Sequence, residues 1–530
     1  MKKRDPWLAA PLGAGLAAAL LTGCGTEGSD SAGSGDRVVM GMSDDVLATD
    51  PASGYDPGSW LLFNNVYQSL MSFPKGGSSP QPEAAEKCGF GSNDSTVYTC
   101  TLRDGLKFSN GNPLTSKDVK FSFERTLRIN DENGPAVVLS GIKSIETPDE
   151  KTVTFKLRAP DATFPQKIAS GAGSIVDHTE YPADKLRTDK KAVGSGPYKL
   201  DSFDEDEATF SVNDDYQGPA GEAQNSGVTL KFFHGKQAEL KSAVTDGDVD
   251  VAYRGLAMKD LAEIQNASAG SSTSEVKVVE GNGAEVQHLV FNLKHPVAGK
   301  LGVRQAIAYL VDRGSLVRDA YNRTVEPLYS IVPAGITGHN TAFYDKYGDQ
   351  PNREKAKAAL DSAGINGKVK LTLWGTPTRY GPGALTGLKL IAKQLNSSGL
   401  FEVDVRSADL EAYAKGMEKG TYGVYLVGWV PDYPDPDNFV LPFFGKENVL
   451  NNHFSSAAID RLIPATAAQP SRTATITDFE KIQNVVADQV PMLPLWQGKQ
   501  YAVASSEVNG LQWTLDASTV FRFWEVKKGS

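Results

Sequence analysis

Strand and helix patterns alternate between residues 369 and 429, and this alternation limits the fold more than any other feature of the sequence. Such a β-α-β series builds an open α/β sheet, and residues 228–253 show a similar unit. We therefore predict an α/β protein with a largely parallel sheet. The predicted elements are the strands Val369–Trp374, Phe401–Val405 and Tyr422–Trp429, and the helices Ala384–Ser397 and Leu410–Lys419.

The last of these strands runs into a loop of unusual composition. Gly428–Phe439 carries three aspartates and three prolines behind Trp429. Proline fixes the backbone and removes amide donors, so the loop should be stiff. A carboxylate held beside an aromatic ring suits a cationic group. Because ligands of open α/β sheets bind beyond the carboxyl ends of strands, we predict a binding site here, with an acidic surface turn as the alternative.

Three residues elsewhere are further candidates for the same site. Asp45 follows the predicted strand Val38–Met42, and Trp60 opens a helical apolar pattern. Arg379 lies in the loop after the Val369 strand, which should emerge at the same edge of the sheet as the proline-rich loop. The alternatives are a charge at a strand end, a half-buried aromatic ring and an exposed arginine.

The N-terminus has the pattern of an export signal. Lys2, Lys3 and Arg4 precede an apolar stretch from Trp7 to Leu21, and small residues follow. The sequence up to Cys24 also matches the pattern of a bacterial lipobox, which predicts lipidation of Cys24; a plain signal peptide is the alternative. Residues 25–35 form a Gly/Ser-rich tether. With no other long apolar stretch, we expect a cell-surface location in which the lipid alone provides the anchor.

The charge and the cysteine content of the chain limit the classes of partner and ligand that it can bind. The formal net charge of −10 argues against nucleic acid, because binding phosphates needs concentrated positive charge. Export makes a disulfide between the two other cysteines, Cys88 and Cys100, the natural expectation. A zinc site is not expected from two thiols without a nearby histidine. We predict no metal and no cofactor.

Three further patterns give predictions that the structure can test. Leu102–Gly111 has the glycine-containing turns of a second hairpin. Thr115 and Asp118 have the spacing of a capping box at a helix start. Leu301–Arg318 has apolar residues on one helical face and predicts one long helix.

Taken in order, many short segments resemble one family. The chain is similar to the extracellular solute-binding proteins of bacterial ABC importers, in the peptide/oligopeptide-binding family (solute-binding protein family 5). The resemblance covers nearly the whole chain after the signal. The matching segments are Asp50–Pro51, Leu102–Gly105, Phe108–Gly111, Asp118–Val119, Gly194–Tyr198, Asn213–Tyr216, Asp246–Asp250, Phe291–Asn292, Val303–Ile307 and Gly428–Phe439.

This resemblance implies a bilobed clamshell of three discontinuous domains that closes around its ligand by a hinge motion. The implied divisions are a signal peptide 1–23, a tether 24–36, domain I in the pieces 37–66, 193–284 and 497–530, domain II at 67–192, and domain III at 285–496.

The resemblance also implies roles for site residues. An acid at the position of Asp432 bonds the α-ammonium of a peptide, and the aromatic at Trp429 lines a side-chain pocket. An acid at the position of Asp45 also approaches the ligand. The chain departs from oligopeptide binders at Leu426, where they have an arginine, so the partner of the ligand carboxylate stays open. The predicted ligand-binding set is Asp432, Trp429, Tyr433, Gly428, Asp45, Trp60 and Arg379.

The expected function is capture of di- or oligopeptides by a monomeric lipoprotein that delivers them to an ABC permease and its ATPases. A second possibility keeps the fold and binds an oligosaccharide, a metal chelate or a signalling peptide. A remote one is a secreted hydrolase using Asp432 with Asp435 or Asp437 as an acid/base pair. No HExxH or GxSxG motif occurs, and the six histidines are scattered, so we do not expect an enzyme. The resemblance makes Asp435 and Asp437 loop-shaping residues.

Overall fold

A computed structural model describes residues 36–91, 94–269, 275–377, 380, 383–446 and 448–529. Its strands are β1 Val38–Met42, β2 Met71–Ser72, β3 Gln81–Pro82, β4 Ala85–Phe90, β5 Val97–Leu102, β6 Ile142–Glu146, β7 Thr152–Leu157, β8 Tyr198–Phe203, β9 Glu207–Val212, β10 Gly227–Phe232, β11 Val251–Tyr253, β12 Val276–Phe291, β13 Val325–Pro327, β14 Val369–Gly375, β15 Phe401–Ser407, β16 Val424–Trp429, β17 Met492–Ser505, β18 Val508–Asn509 and β19 Lys527–Lys528.

The α-helices cover the faces and ends of these strands. They are α1 Pro57–Val66, α2 Ser116–Ile129, α3 Ala136–Leu139, α4 Phe164–Ile168, α5 Gln237–Thr245, α6 Met258–Ala269, α7 Leu301–Leu310, α8 Arg313–Ser315, α9 Ala342–Tyr347, α10 Arg353–Ser362, α11 Ala384–Ser397, α12 Leu410–Glu418, α13 Asp437–Phe444, α14 Ala457–Ala468 and α15 Ile476–Gln489. Among the described residues, no helix is both long enough and apolar enough to span a membrane.

One eleven-stranded sheet organises the chain, in the order β15-β14-β16-β12-β17-β11-β1-β10-β9-β8, with β13 paired to β17. We call β15, β14 and β16 the β16 half, and β11, β1, β10, β9 and β8 the β1 half. The long central strands β12 and β17 join them. Parallel pairs occur inside each half. The pairings of β12 are antiparallel, so the sheet is mixed. The predicted α/β class is confirmed, and only the expectation of a largely parallel sheet is wrong.

The carboxyl ends of the two halves converge on the middle of β12. Trp429 at the end of β16 pairs with Val286 of β12, and β16 runs toward lower residue numbers of β12. Tyr253 at the end of β11 lies, across β17, level with Val279 of β12, and β11 runs toward higher numbers. Between these points the β12 register shifts after Asn282. Such bulges increase local twist and are common beside binding sites.

A separate four-stranded antiparallel sheet, β4-β5-β7-β6, carries the disulfide. Cys88 of β4 lies opposite Cys100 of β5, and the two are bonded, which confirms the predicted pairing. The β5 face that carries Tyr98, Cys100 and Leu102 is buried, as the alternation of the sequence predicts.

Buried apolar side chains form four clusters among the described residues. The largest lies between Ala284 and Trp496, around the β16 half, and the second surrounds the β1 half. A third fills the space behind the β4-β5-β7-β6 sheet, and a small fourth lies under α5 and α6. The predicted domain boundaries are not tested by this arrangement and stay a prediction.

Two predicted elements are wrong, and one helix start is confirmed. Leu102–Gly111 forms no second hairpin: Gly105 and Gly111 turn the chain with positive φ, and only an isolated bridge, Lys107 to Pro113, follows. The predicted helix 301–318 ends at Leu310. The α2 start has the expected cap, because Asp118 Oδ2 accepts the backbone N–H of Thr115 at 2.8 Å.

Candidate functional site

The loop after β16 is fastened by a buried ion pair. The Asp435 carboxylate accepts from Nη2 and Nε of Arg472 at 2.6 and 2.8 Å. Its Oδ1 also accepts the backbone N–H of Asp437 at 2.9 Å. A bidentate guanidinium–carboxylate pair fixes orientation as well as charge. Asp435 therefore sets the shape of the loop, as the resemblance implies.

Asn438, in the first turn of α13, connects the aromatic and the acid of the predicted site. Its Oδ1 accepts from Trp429 Nε1 at 3.0 Å and from the backbone N–H of Asp432 at 3.1 Å. Its Nδ2 donates to Asp432 Oδ2 at 3.3 Å. One neutral side chain thus holds both the indole and the carboxylate. No local sequence pattern gives Asn438 a role, because only the turn into α13 brings its side chain back to Trp429 and Asp432.

The Asp432 carboxylate also bonds across to the β1 half. Tyr55, in the segment between β1 and α1, donates its hydroxyl to Asp432 Oδ1 at 2.5 Å. Burial, reinforced by the Asp432 charge, raises the pKa of the Tyr55 phenol well above its usual range. The phenol therefore stays protonated and remains a donor at neutral pH. Sequence reasoning missed Tyr55, since no local pattern links residues so far apart in the chain.

Trp60 lies beside Tyr55 in this group. The two rings are 5.6 Å apart between centroids, and Trp60 Nε1 donates to the Gly54 carbonyl at 3.0 Å. The indole packs on Gly171, where an added Cβ would lie 2.7 Å from its Cδ1. The structure thus brings Trp60, Tyr55 and Asp432 together.

Tyr433, next to the anchor acid, points into a core. It is 6% exposed and belongs to the cluster behind the β4-β5-β7-β6 sheet. The Lys167 ammonium lies 6.0 Å from its ring centroid. Burial, with the charge of Asp437 added, raises the pKa of the Tyr433 phenol well above its usual range. In this structure Tyr433 packs the loop in place, and its predicted ligand contact stays a prediction.

Gly428 lies where a neighbouring ring approaches the strand. A Cβ at this position would come within 2.8 Å of Tyr380 Cδ1, so only glycine leaves room for the ring as placed. Across the strand pair, Gly428 is opposite Gln287 of β12. The Gln287 amide oxygen accepts from Tyr321 and Trp496 at 2.7 and 3.0 Å. These hydrogen bonds fix the position of the Gln287 side chain beside the end of β16.

Asp45 lies near the end of β1, and its side chain turns to a different neighbour. Its Oδ1 is 2.8 Å from His234 Nδ1, and both residues line a surface groove of about 430 Å³. The ligand contact predicted for Asp45 stays a prediction. Arg379 and Cys24 lie outside the described residues.

A second charged group lies where the strand ends converge. Arg254 follows β11 and Asp44 follows β1, and these strands are parallel neighbours. Arg254 Nε donates to Asp44 Oδ2 at 2.5 Å. Glu285 of β12 precedes the strand partner of Trp429. Desolvation raises the pKa of its carboxyl, and the charge of Arg254 opposes this rise.

One group of possible metal ligands occurs in the described part of the chain, away from these residues. Donor atoms of Asp118, Asp177 and His178 lie within 4.8 Å of one another. Asp118 already caps α2 and bonds His178 Nδ1 at 2.6 Å. Asp177 accepts from the amides of Asn110 and Asn112. These bonds account for the group as a hydrogen-bonding network.

The fold, a mixed sheet whose two halves have strand ends that converge on the middle of β12, is that of a solute-binding protein. The sequence model described as bacterial extracellular solute-binding proteins, family 5 (Middle), matches residues 79–451. The chain belongs to this family.

Individual relatives agree over almost their full length. The probable D,D-dipeptide-binding periplasmic protein DdpA of Escherichia coli K12 is 26% identical over 509 residues, covering 93% of this chain and 94% of that protein. A dipeptide-binding protein of Pseudomonas aeruginosa is 25% identical over 552 residues, covering 95% and 96%. The structure of HbpA2 from Haemophilus parasuis superposes with a TM-score of 0.83 at 21% identity, covering 93% of this chain and all of that one, which establishes the shared fold.

Proposed function

We propose that this protein captures peptides outside the cell and passes them to the permease of an ABC importer. The observation that carries the proposal is the Asp432 carboxylate, held by Asn438 and met by Tyr55 from the other half of the sheet. A charge-assisted hydrogen bond from the peptide ammonium to Asp432 would orient the peptide, and the Trp429 ring would supply apolar contact. The family and the dipeptide-binding relatives support the choice of peptides.

The place of action is part of the proposal. We propose that Cys24 is lipidated and that the residues after it tether a monomeric binding domain above the cell membrane. The export signal and the lipobox-like sequence support this. Labelling with a radioactive fatty acid tests it: wild type should incorporate label, and Cys24→Ala should not.

We infer further that the protein is not an enzyme. Asp435 is tied to Arg472, and Asp437 is 4% exposed, so the acids near Asp432 are poorly placed for an acid/base pair. Membership in a family of binding proteins supports the same conclusion. Incubation with peptides and oligosaccharides should leave them intact; turnover would contradict the inference.

A thermal-shift screen tests the ligand class directly. A ligand that binds only the folded state raises the melting temperature. The panels are di- to pentapeptides, cello-oligosaccharides and nickel chelates. We expect shifts with peptides, whereas a shift confined to sugars or chelates would overturn the peptide assignment.

The anchor can be tested at Asp432 itself. Asp432→Asn should weaken a peptide with a free amino terminus by about 1.5–3 kcal/mol, the scale of a hydrogen bond to a charged group. It should affect the amino-acetylated form of the same peptide much less. Isothermal titration of both forms measures the difference, and equal losses would exclude Asp432 as the ammonium partner.

A further inference from the structure

Arg254 occupies a backbone conformation that its side chain does not favour. Its φ is +61°, in the left-handed region, and Gly255 follows with φ +90°. Ser43 donates its backbone N–H to the Arg254 carbonyl at 3.3 Å. A Cβ on Gly255 would lie 1.4 Å from the Ser43 Oγ, so the chain is wedged tightly against the end of β1. A non-glycine residue kept in this region is a strain that often marks a functional position.

The ion pair with Asp44 does not account for this strain. The two side chains are 38% and 36% exposed, and exposed pairs contribute little to stability. What the pair does is orient the guanidinium, because Asp44 accepts from Nε. A guanidinium also carries N–H donors on Nη1 and Nη2, in a fork that fits a carboxylate.

Arg254 lies among the strand ends that border the predicted site. Arg254 follows β11 at the place where the strand ends converge on the bulge of β12. Its positive charge opposes the rise in the pKa of the Glu285 carboxyl. Glu285 in turn precedes Val286, the strand partner of Trp429. Arg254 therefore belongs to the β1 half, and its charge acts on Glu285, the residue before the strand partner of Trp429.

From this geometry we propose that Arg254 binds a carboxylate of the captured peptide, in the cleft whose other charged anchor is Asp432. The proposal rests on the peptide function proposed above and names the anionic contact of the same site. The cleft then holds one positive and one negative anchor. A zwitterionic peptide matches both, whereas a neutral sugar matches neither.

The carboxylate has two possible sources, the C-terminus or an acidic side chain, and the ligand can be altered to separate them. The probes are di-, tri-, tetra- and pentaalanine, their C-terminal amides, and the pair Ala-Glu-Ala and Ala-Gln-Ala. The affinities of the full chain are measured by isothermal titration. We expect amidation to weaken binding to wild type by about 10- to 100-fold, the loss of a charge-assisted bond. If only the change from Glu to Gln weakens binding, the side chain is the source and the Arg254 contact stands.

Two variants distinguish a direct contact between Arg254 and the ligand from an effect of Arg254 on the stability of the fold. Glycine adopts φ +61° without strain, so Arg254→Gly should melt at or above the wild-type temperature while binding free peptides 10- to 100-fold more weakly. In that variant amidation should have no further effect. Arg254→Lys keeps the charge but not the fork and should fall between the two. Arg353→Gln, at an exposed arginine on α10 that donates to Ser398, is the matched control and should bind as wild type does.

The outcomes distinguish this inference from the function on which it rests. If peptides bind wild type but neither amidation nor the loss of the Glu carboxylate matters, Arg254 is not the carboxylate partner and peptide capture stands. If Arg254→Gly weakens free and amidated peptides equally relative to wild type, its role is structural and the inference fails. If no peptide of the panel binds wild type, peptide capture itself fails and the inference falls with it.

Discussion

At the scale of single residues, the geometry of the charged anchor depends on a neutral side chain. Asn438 bonds the Trp429 indole, the Asp432 backbone and the Asp432 carboxylate. An amide can do this because it offers an acceptor and two donors on one rigid plane. The two residues that the sequence marks as a cation site are thereby held by a third that it does not mark.

We predict that Asn438→Ala weakens binding of a free-amino-terminus peptide by about tenfold or more. The carboxylate and the indole lose their common partner, and each lost hydrogen bond costs about 1 kcal/mol. Isothermal titration measures the effect. Asn448→Ala, which removes an amide bonded to the Gly445 carbonyl, serves as the control and should leave affinity unchanged. An unaltered affinity in Asn438→Ala would mean that the anchor is positioned by other contacts.

The Asp437 carboxyl makes the stability of the folded protein depend on pH. Burial, with the neighbouring Asp435 charge added, raises the pKa of the Asp437 carboxyl to about 6, although Arg472 and Lys167 oppose the rise. The folded state therefore holds this proton more tightly than the unfolded state does. Its stabilising contribution is complete below about pH 4 and is lost as the pH rises through about 6.

Asp437→Asn should remove this dependence. Relative to wild type, the free energy of unfolding of the variant should rise by about 2–3 kcal/mol between pH 4 and pH 7, since one pKa unit corresponds to about 1.4 kcal/mol. Urea denaturation across that range provides the measurement, with Asp361→Asn at an exposed helical position as the control. Parallel pH curves for Asp437→Asn and wild type would contradict the assignment.

At the scale of elements, the buried Asp435–Arg472 pair joins the loop before α13 to the segment after α14. The two side chains are 2% and 15% exposed, so removing one partner leaves the other charged and poorly solvated. We predict that Arg472→Gln destabilises the protein by about 3–5 kcal/mol, while Arg472→Gln with Asp435→Asn costs less than the two single changes together. Thermal unfolding of the three variants measures this.

The exposed pair Lys357–Asp361 is the matched comparison, because it lies four residues apart on α10 with both side chains about half exposed. Lys357→Gln should cost about 0–1 kcal/mol. Equal effects of Lys357→Gln and Arg472→Gln would mean that the Asp435–Arg472 pair does not fix the loop.

Helices with clear apolar periodicity could be predicted from the sequence nearly to the residue. Helix α11 has the predicted bounds, Ala384–Ser397, and α12 ends at Glu418, one residue before the predicted end. The helix predicted beyond Leu310 breaks because tertiary contacts replace it. The backbone N–H of Asp312 donates to Gln394, and Arg313 donates to the Pro494 carbonyl. No pattern within 301–318 contains those partners.

No sequence pattern predicts the full length of the central strand β12. Its last three residues, Leu289–Phe291, form an apolar run that is typical of a buried strand. Its first half contains Gly281 and Gly283 and is only partly buried, so it lacks the alternation of a half-buried strand. The predicted site follows the same division: local composition and resemblance are enough to nominate Trp429, Asp432 and Trp60. Tyr55, Asn438 and Arg254 enter the proposed site through contacts that exist only after the sheet forms.

At the scale of the whole molecule, the Tyr55–Asp432 bond links the segment after β1 to the loop after β16. The resemblance implies a hinge between lobes, and a bond of this kind favours their closed arrangement. We predict that Tyr55→Phe shifts the ligand-free protein toward an open state by about 10- to 100-fold, the effect of losing a hydrogen bond to a charged group.

Small-angle X-ray scattering reports this shift as a larger radius of gyration for ligand-free Tyr55→Phe than for wild type. Saturating peptide should bring the two to the same value. Tyr344→Phe, at an exposed tyrosine of α9, is the control and should match wild type throughout. Identical radii for ligand-free Tyr55→Phe and wild type would show that the bond does not govern closure.

The central strands β12 and β17 bear on how the protein loses its structure. They are 16 and 14 residues long, and their backbone bonds run from one half of the sheet to the other. Neither half can unfold without breaking backbone hydrogen bonds that β12 and β17 make to the other half. The two halves should therefore unfold on heating as one cooperative unit. A ligand bound at the β12 bulge would then slow the hydrogen exchange of backbone amides at both edges of the sheet. A spectroscopic probe at either edge, far from the cleft, would therefore report ligand binding.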